Sequence, residues 1–198
     1  MLRSLLALGP RTVHCLLVAA TAGYLLVALY MEHAMGLEPC PLCIFQRVGV
    51  IAVGIVALIA LIHNPAAPGQ TIYSGLGISA CLVTIGIAAR QLWLQSLPAD
   101  QVPACGPSLD YLMDVFPLMD VLQMVLAGDG SCAEVSWQLL GISIPGWVVI
   151  GCIPLLIGNL LILRRQYSTS YDPPVNPCFP SSNCRLGANQ SCLLKTPP

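Results

Sequence analysis

Ile44–Ile62 reads IFQRVGVIAVGIVALIALI, nineteen residues in which only Gln46 and Arg47 are polar, and it follows directly on Pro39-Cys40-Pro41-Leu42-Cys43. A helix needs about 20 mostly apolar residues to cross a bilayer. This stretch is therefore a membrane span, and the cysteine pair stands at its entrance. Three further stretches qualify: Val13–Met31, Ile72–Ala89 and Ile144–Leu163. The composition agrees, with 56% hydrophobic and 9% charged residues among 198, where soluble domains carry roughly 25% charge. The first span is no cleavable leader, because Leu16 to Met31 runs too long and no small-x-small site precedes Glu32. The expected fold is an all-α membrane protein, a four-transmembrane-helix bundle. The short connections at 32–43 and 63–71 make the first three spans antiparallel neighbours.

Basic residues near the span ends set the expected orientation. Arg3 and Arg11 precede the first span, and Arg164 and Arg165 close the fourth, so both termini are expected in the cytoplasm. The segment Glu32–Cys43 and the long connection from about Gln91 to Ser143 then face the other side, where a bacterium keeps an oxidising compartment that lets disulfides persist. Cys40, Cys43, Cys105 and Cys132 all fall on that side. Cys15, Cys81 and Cys152 lie inside spans, where cysteine acts as a small hydrophobe. No basic stripe or recognition motif points to nucleic acid.

Between Leu109 and Leu126, Leu109, Leu112, Met113, Phe116 and Met119 recur at helical spacing, and Pro117 interrupts them. This predicts two short helices beside the membrane, either lying in the interface plane or packed on the bundle. Gly49, Gly54, Gly75, Gly77 and Gly86 predict close helix approach in the second and third spans, and Pro154 predicts a kink in the fourth. The four-span domain is expected over residues 1–165. Residues 166–198 read as a disordered cytoplasmic tail rich in Pro, Ser and Asn, too polar for a core. Its Cys178, Cys184 and Cys192 match no common ligand spacing, and no metal is expected.

Proline is favoured at the first helical position, so Pro41 makes Cys40 the N-cap and puts Cys43 in the first turn. Unpaired N–H groups and the positive end of the helix dipole favour an anion there, and a thiolate is one. Arg47, four residues on, shares the face of Cys43. It either serves the thiolate or a bound ligand, or anchors the helix at the interface. Cys105 and Cys132, 27 positions apart, sit in Gly- and Pro-rich turns that suit an exchangeable disulfide and also permit a static staple. A zinc site of all four cysteines fits poorly, since structural zinc sites use two close pairs and only one CxxC occurs.

Several features together resemble the disulfide bond formation protein B (DsbB) family. They are Pro39-Cys40-x-x-Cys43-Ile44-Phe45-Gln46-Arg47 opening the second span, His33 just before it, the Cys105/Cys132 pair, and Cys132-Ala133-Glu134 followed by Trp137. The resemblance covers roughly residues 1–165. It implies a protein-dithiol:quinone oxidoreductase of the bacterial inner membrane with two redox-active disulfides, Cys40–Cys43 and Cys105–Cys132. It further implies that a periplasmic DsbA-like thioredoxin-fold oxidase delivers electrons at Cys105. Cys132 would relay them to Cys40, and Cys43 would face the quinone (ubiquinone or menaquinone), with Arg47 at a quinone oxygen. Three departures stand out. The region of a histidine found in some members reads Ala89-Arg90-Gln91-Leu92-Trp93, the acid that can precede the arginine is Gln46, and the tail matches no family pattern. The vitamin K epoxide reductase family, a rival thiol–quinone device, has its CxxC after the loop cysteines, whereas here it comes first. A structural membrane protein with static loop disulfides is the rival of another class, and it has no use for a cation beside Cys43.

Overall fold

The computed structural model describes residues 9–98, 100–102, 104, 106, 109–128 and 130–171. Four long helices dominate: α1 (Pro10–His33), α2 (Pro41–His63), α3 (Ala67–Gln95) and, after the loop, α7 (Ile144–Tyr171). Each contains a segment long and apolar enough to cross a membrane. Only 22–28% of the most apolar window of each span is buried within the protein. Side chains such as Leu26, Ile62 and Ile72, 68%, 76% and 64% exposed, point outward. Surface of that kind is stable only against lipid, so the chain is a multi-pass membrane protein.

Pro41 starts the second helix as expected, behind the N-cap Cys40, whose backbone is extended (φ −66°, ψ 162°), and Pro10 behind Gly9 starts the first in the same way, three residues before the apolar stretch. Asn64 ends α2 in the left-handed conformation (φ 41°), which asparagine tolerates. The helices pack in a ring, α1 on α2, α2 on α3, α3 on α7 and α7 back on α1. Gly49 and Gly77 let this happen: a Cβ on Gly49 would overlap Thr84, and one on Gly77 would overlap Asn159. Gly75 and Gly86, by contrast, face open space. Pro154 lies inside α7.

Two apolar clusters fill the bundle. Val13, Leu17, Val53, Ala57, Cys81, Leu155 and Ile162 form one. Leu42, Leu94, Leu112, Val121, Val125 and Cys132 form the other, at the end that carries the long loop. That loop contains α4 (Leu109–Val115), α5 (Leu118–Ala127) and the single turn α6 (Gly130–Ala133). Pro117 separates α4 from α5 and serves as the N-cap of α5. The expected apolar face is corrected. Of its members Leu112 is buried, while Met113 and Met119 are 60% and 66% exposed. Val121 and Val125 supply the packing face, because α5 turns after the proline and meets Leu42 and Leu94 with its other side. The outward face keeps Leu118, Met119 and Met124 exposed, as a helix at a membrane surface would.

Two features lie outside the sequence expectation. α3 runs to Gln95 rather than ending at Ala89; its 29 residues span about 43 Å, more than the roughly 30 Å hydrocarbon core. A two-stranded antiparallel hairpin, β1 (Gln138–Leu139) and β2 (Ile142–Ser143), turns at Leu140 and Gly141, both at positive φ as a type I′ turn requires. Ser143 Oγ donates to Gln95 Oε1 at 2.7 Å, which ties the hairpin to the extension of α3. α7 continues through Tyr171, so residues 166–171 extend the last helix instead of beginning the expected disordered tail, and the tail beyond lies outside the described residues.

Candidate active site

The start of α2 creates two chemically different sulfurs. Cys40, at the N-cap, lies before the first turn, and its carbonyl accepts the first helical hydrogen bond from Ile44 N at 3.1 Å. Cys43 lies within the turn, where N–H groups without helical partners and the dipole favour negative charge. The Cys40 thiol donates to Cys43 Sγ at 3.1 Å, which makes Cys43 the acceptor of the pair. The Cys132 thiol lies within hydrogen-bonding reach of Cys40. That contact, the Cys43 sulfur and burial all push the Cys40 pKa upward. Cys40 is therefore the protonated partner, and Cys43 the sulfur on which charge collects.

Three sulfurs thus stand in a row, Cys132, Cys40 and Cys43. Cys132 itself is 1% exposed, held by the cluster that α5 makes with Leu42 and Leu94. Arg90 secures that loop from below: its Nε donates to Leu126 O at 3.2 Å and its Nη2 to Ala127 O at 2.9 Å. A cation at a helix C-terminus also opposes the negative dipole end. The same guanidinium stacks 4.2 Å over the Trp93 ring. Cys105 lies outside the described residues. Its neighbour Ala104 accepts a hydrogen bond from Gly130 N at 3.3 Å, so the two arms of the loop meet two residues before Cys132.

Two residues that sequence reasoning passed over complete the site. Glu32, in the last turn of α1, forms an ion pair with Arg47 Nη1, while Arg47 Nη2 donates to Ala28 O at 3.3 Å. The pairing offsets the cost of placing an arginine at the edge of a span. Gln91, in the extension of α3, is 2% exposed and reaches across to the cysteines. Its Nε2 lies 3.2 Å from Cys40 Sγ and 3.3 Å from Cys43 Sγ. Its Oε1 accepts from Gln46 Nε2 at 2.7 Å and lies 3.5 Å from Cys43 Sγ. A signal for Gln91 did exist. The buried residues of α3 as far as Gln91, which are Gln70, Ser74, Gly77, Cys81, Thr84, Ala88 and Gln91, alternate steps of four and three, and Leu94 follows three on, so Gln91 lies within an inward-facing stripe.

A cavity of about 1000 Å³ opens beside these groups, bordered by Cys40, Cys43, Arg47 and Gln91. Its walls are largely apolar, with Leu25, Val50, Val148 and Trp147 from α1, α2 and α7. An apolar cleft with a few converging polar groups is the usual form of a small-molecule site. A flat, apolar, oxygen-bearing ring fits these donors: the guanidinium supplies hydrogen bonds to an oxygen, and the hydrocarbon wall accommodates the rest.

The chain also matches known proteins along most of its length. The family model "Disulfide bond formation protein DsbB" matches residues 10–162. A protein of Marinobacter nauticus named disulfide bond formation protein B is 51% identical over 158 residues, covering 80% of this chain and 94% of that protein. Its namesake in Acinetobacter baumannii is 50% identical over 161 residues, covering 81% and 94%. The one in Saccharophagus degradans is 50% identical over 141 residues, covering 71% and 85%.

Proposed function

The chain belongs to the disulfide bond formation protein B family of quinone-dependent, disulfide-generating oxidoreductases, and from that premise we propose how its own residues carry the electrons. The observation that supports the route is the row of three sulfurs, Cys132, Cys40 and Cys43, which ends at the cavity beside Arg47.

In this reading the resting chain holds two disulfides, Cys40–Cys43 and Cys105–Cys132. The thiolate of a reduced, DsbA-like soluble oxidase attacks Cys105 and forms a mixed disulfide, expelling Cys132 as a thiolate. The partner's second thiol then attacks its own mixed sulfur, leaving as an oxidised partner and freeing Cys105. Cys132 attacks Cys40, and the Cys40–Cys43 bond breaks with Cys43 as the leaving thiolate. A low-pKa thiolate leaves faster, and the helix start with Arg47 one turn away supplies that property. Cys105 finally attacks Cys132, restoring the loop disulfide and releasing Cys40 as a thiol. A quinone held by Arg47 and the apolar cavity walls would supply the acceptor for the two electrons and two protons released as the Cys40–Cys43 bond re-forms.

The chain's residues have distinct tasks in this sequence. Arg47, fixed by Glu32 and Ala28, binds and orients a ring oxygen. The apolar walls keep water from the Cys43 sulfur and so strengthen the field of the guanidinium. Packing of α5 keeps Cys132 against Cys40, so that exchange is intramolecular and fast. The orientation that suits these tasks puts both termini in the cytoplasm and the four cysteines in the periplasm, with the four-span unit over residues 1–165. Reconstitution tests the proposal: purified protein, a reduced DsbA-like partner and either ubiquinone or menaquinone should yield one quinol per partner disulfide. Partner oxidation that proceeds equally without any quinone would refute it.

A further inference from the structure

Gln91 occupies a position that its chemistry does not explain as packing. A carboxamide 2% exposed costs free energy unless its polar atoms are matched, and a leucine would fill the same space at lower cost. Its polar atoms are matched, and on the NH₂ side the matches are the two sulfurs of the reactive pair, at 3.2 and 3.3 Å. The orientation follows from chemistry. A sulfur that carries negative charge accepts and does not donate, so the NH₂ end has to face it. Turned over, the amide would set its own oxygen against that charge. With the NH₂ toward the sulfurs, Gln91 Oε1 is free to accept from Gln46 Nε2 at 2.7 Å. Gln46 Oε1 is then left buried without a partner among the described residues, a cost accepted to hold the amide in place.

We infer that Gln91 is a catalytic residue of the Cys40–Cys43 pair: its carboxamide, oriented by Gln46, stabilises the reduced pair by donating to both sulfurs. This rests on the redox role proposed above for Cys40 and Cys43. Two helices meet in this one amide. Gln91 comes from α3, whereas Gln46 and both cysteines come from the first turns of α2 or its cap, so packing of α3 on α2 sets the donor's distance. A carboxamide has no proton to lose between pH 5 and 9. Any pH dependence of its stabilisation therefore enters through the ionisation of the thiols alone. Because it favours the reduced form, Gln91 makes the Cys40–Cys43 disulfide more oxidising than the helix start and Arg47 would alone.

The test equilibrates the purified full chain in a dithiothreitol redox buffer and maps the Cys40–Cys43 pair by alkylation and peptide analysis. Hydrogen bonds to charged groups carry enough free energy for a roughly tenfold or larger change. Gln91→Leu should therefore shift the equilibrium at least tenfold toward the disulfide, and slow alkylation of Cys43 by a similar factor at fixed pH. Gln46→Leu, which leaves the amide free to turn, should shift it in the same direction by less. Gln91→His should restore a donor and add a pH-dependent component near the usual histidine range, about 6.5. That component has no counterpart if residue 91 only fills space, and it decides the matter should Gln91→Leu fail to fold. An unchanged equilibrium in Gln91→Leu, or no new pH component in a folded Gln91→His, overturns the inference. The assay needs neither quinone nor soluble partner. A shifted equilibrium in a protein that fails reconstitution would sink the proposed relay and leave the role of Gln91 standing.

Discussion

Replacing Arg47 with alanine separates the two roles a cation can have beside Cys43. The Arg47 side chain is 25% exposed and its guanidinium already engages Glu32 and the Ala28 carbonyl, so it reaches a ligand oxygen as a shared, partly solvated donor. A hydrogen bond from a charged group contributes about 1.5–3 kcal/mol, and sharing argues for the lower bound. About 1.4 kcal/mol corresponds to a factor of ten in affinity. Arg47→Ala should therefore raise the apparent quinone KM about tenfold, with all four cysteines still oxidisable by a chemical oxidant. Glu32→Gln supplies the opposite perturbation. It removes the charge of a solvent-exposed ion-pair partner, so the guanidinium becomes more available to the ligand oxygen and the apparent KM should fall rather than rise. The assay is quinol formation at saturating reduced partner while quinone is varied, in matched lipid. A KM unchanged in Arg47→Ala would return the arginine to an interfacial anchor. A Glu32→Gln variant as impaired as Arg47→Ala would mean that the ion pair is required to position the cation.

Other outcomes follow from the same geometry. Cys105→Ala should abolish covalent trapping of a DsbA-like partner and Cys132→Ala should prolong it, read on non-reducing gels; equal trapping in both would refute the assigned roles. Arg90→Ala removes two charge-assisted hydrogen bonds to the end of α5 and its stacking on Trp93, exposed interactions together worth about 1–2 kcal/mol. Cys132 should then alkylate roughly ten times faster in the reduced protein, since the cluster burying it opens more often. Gly77→Leu should cost about 1–3 kcal/mol through overlap with Asn159 and lower the thermal midpoint. Gly75→Leu, facing open space, should leave it nearly unchanged.

The spans and the entrance of α2 were legible because each is set by local rules. Nineteen near-continuous apolar residues leave no alternative to a span, and Pro41 needs no tertiary partner to make Cys40 a cap. Pro117 likewise had to divide the loop helices, although the face they bury depended on how α5 turned after it. Gln91 and Glu32 were harder to see, since both act on residues of another helix. Hydropathy ended the third span at Ala89 because Arg90, Gln91 and Gln95 are polar, yet α3 continues since the loop covers Gln91 and Leu94. Those residues look exposed in a linear reading and are buried in the fold. The hairpin was hidden for a related reason: Leu140 at φ 54° is an unusual turn residue, and strands of two residues carry no readable alternation.

Transfer from Cys132 to Cys40 is the central claim, and it can be isolated. In a Cys43→Ser, Cys105→Ser variant, Cys40 and Cys132 are the two that remain of the four proposed redox cysteines. Mild oxidation followed by peptide mapping should recover a Cys40–Cys132 disulfide in most molecules. Recovery of both cysteines as free thiols, with Cys132 open to alkylation, would contradict the relay.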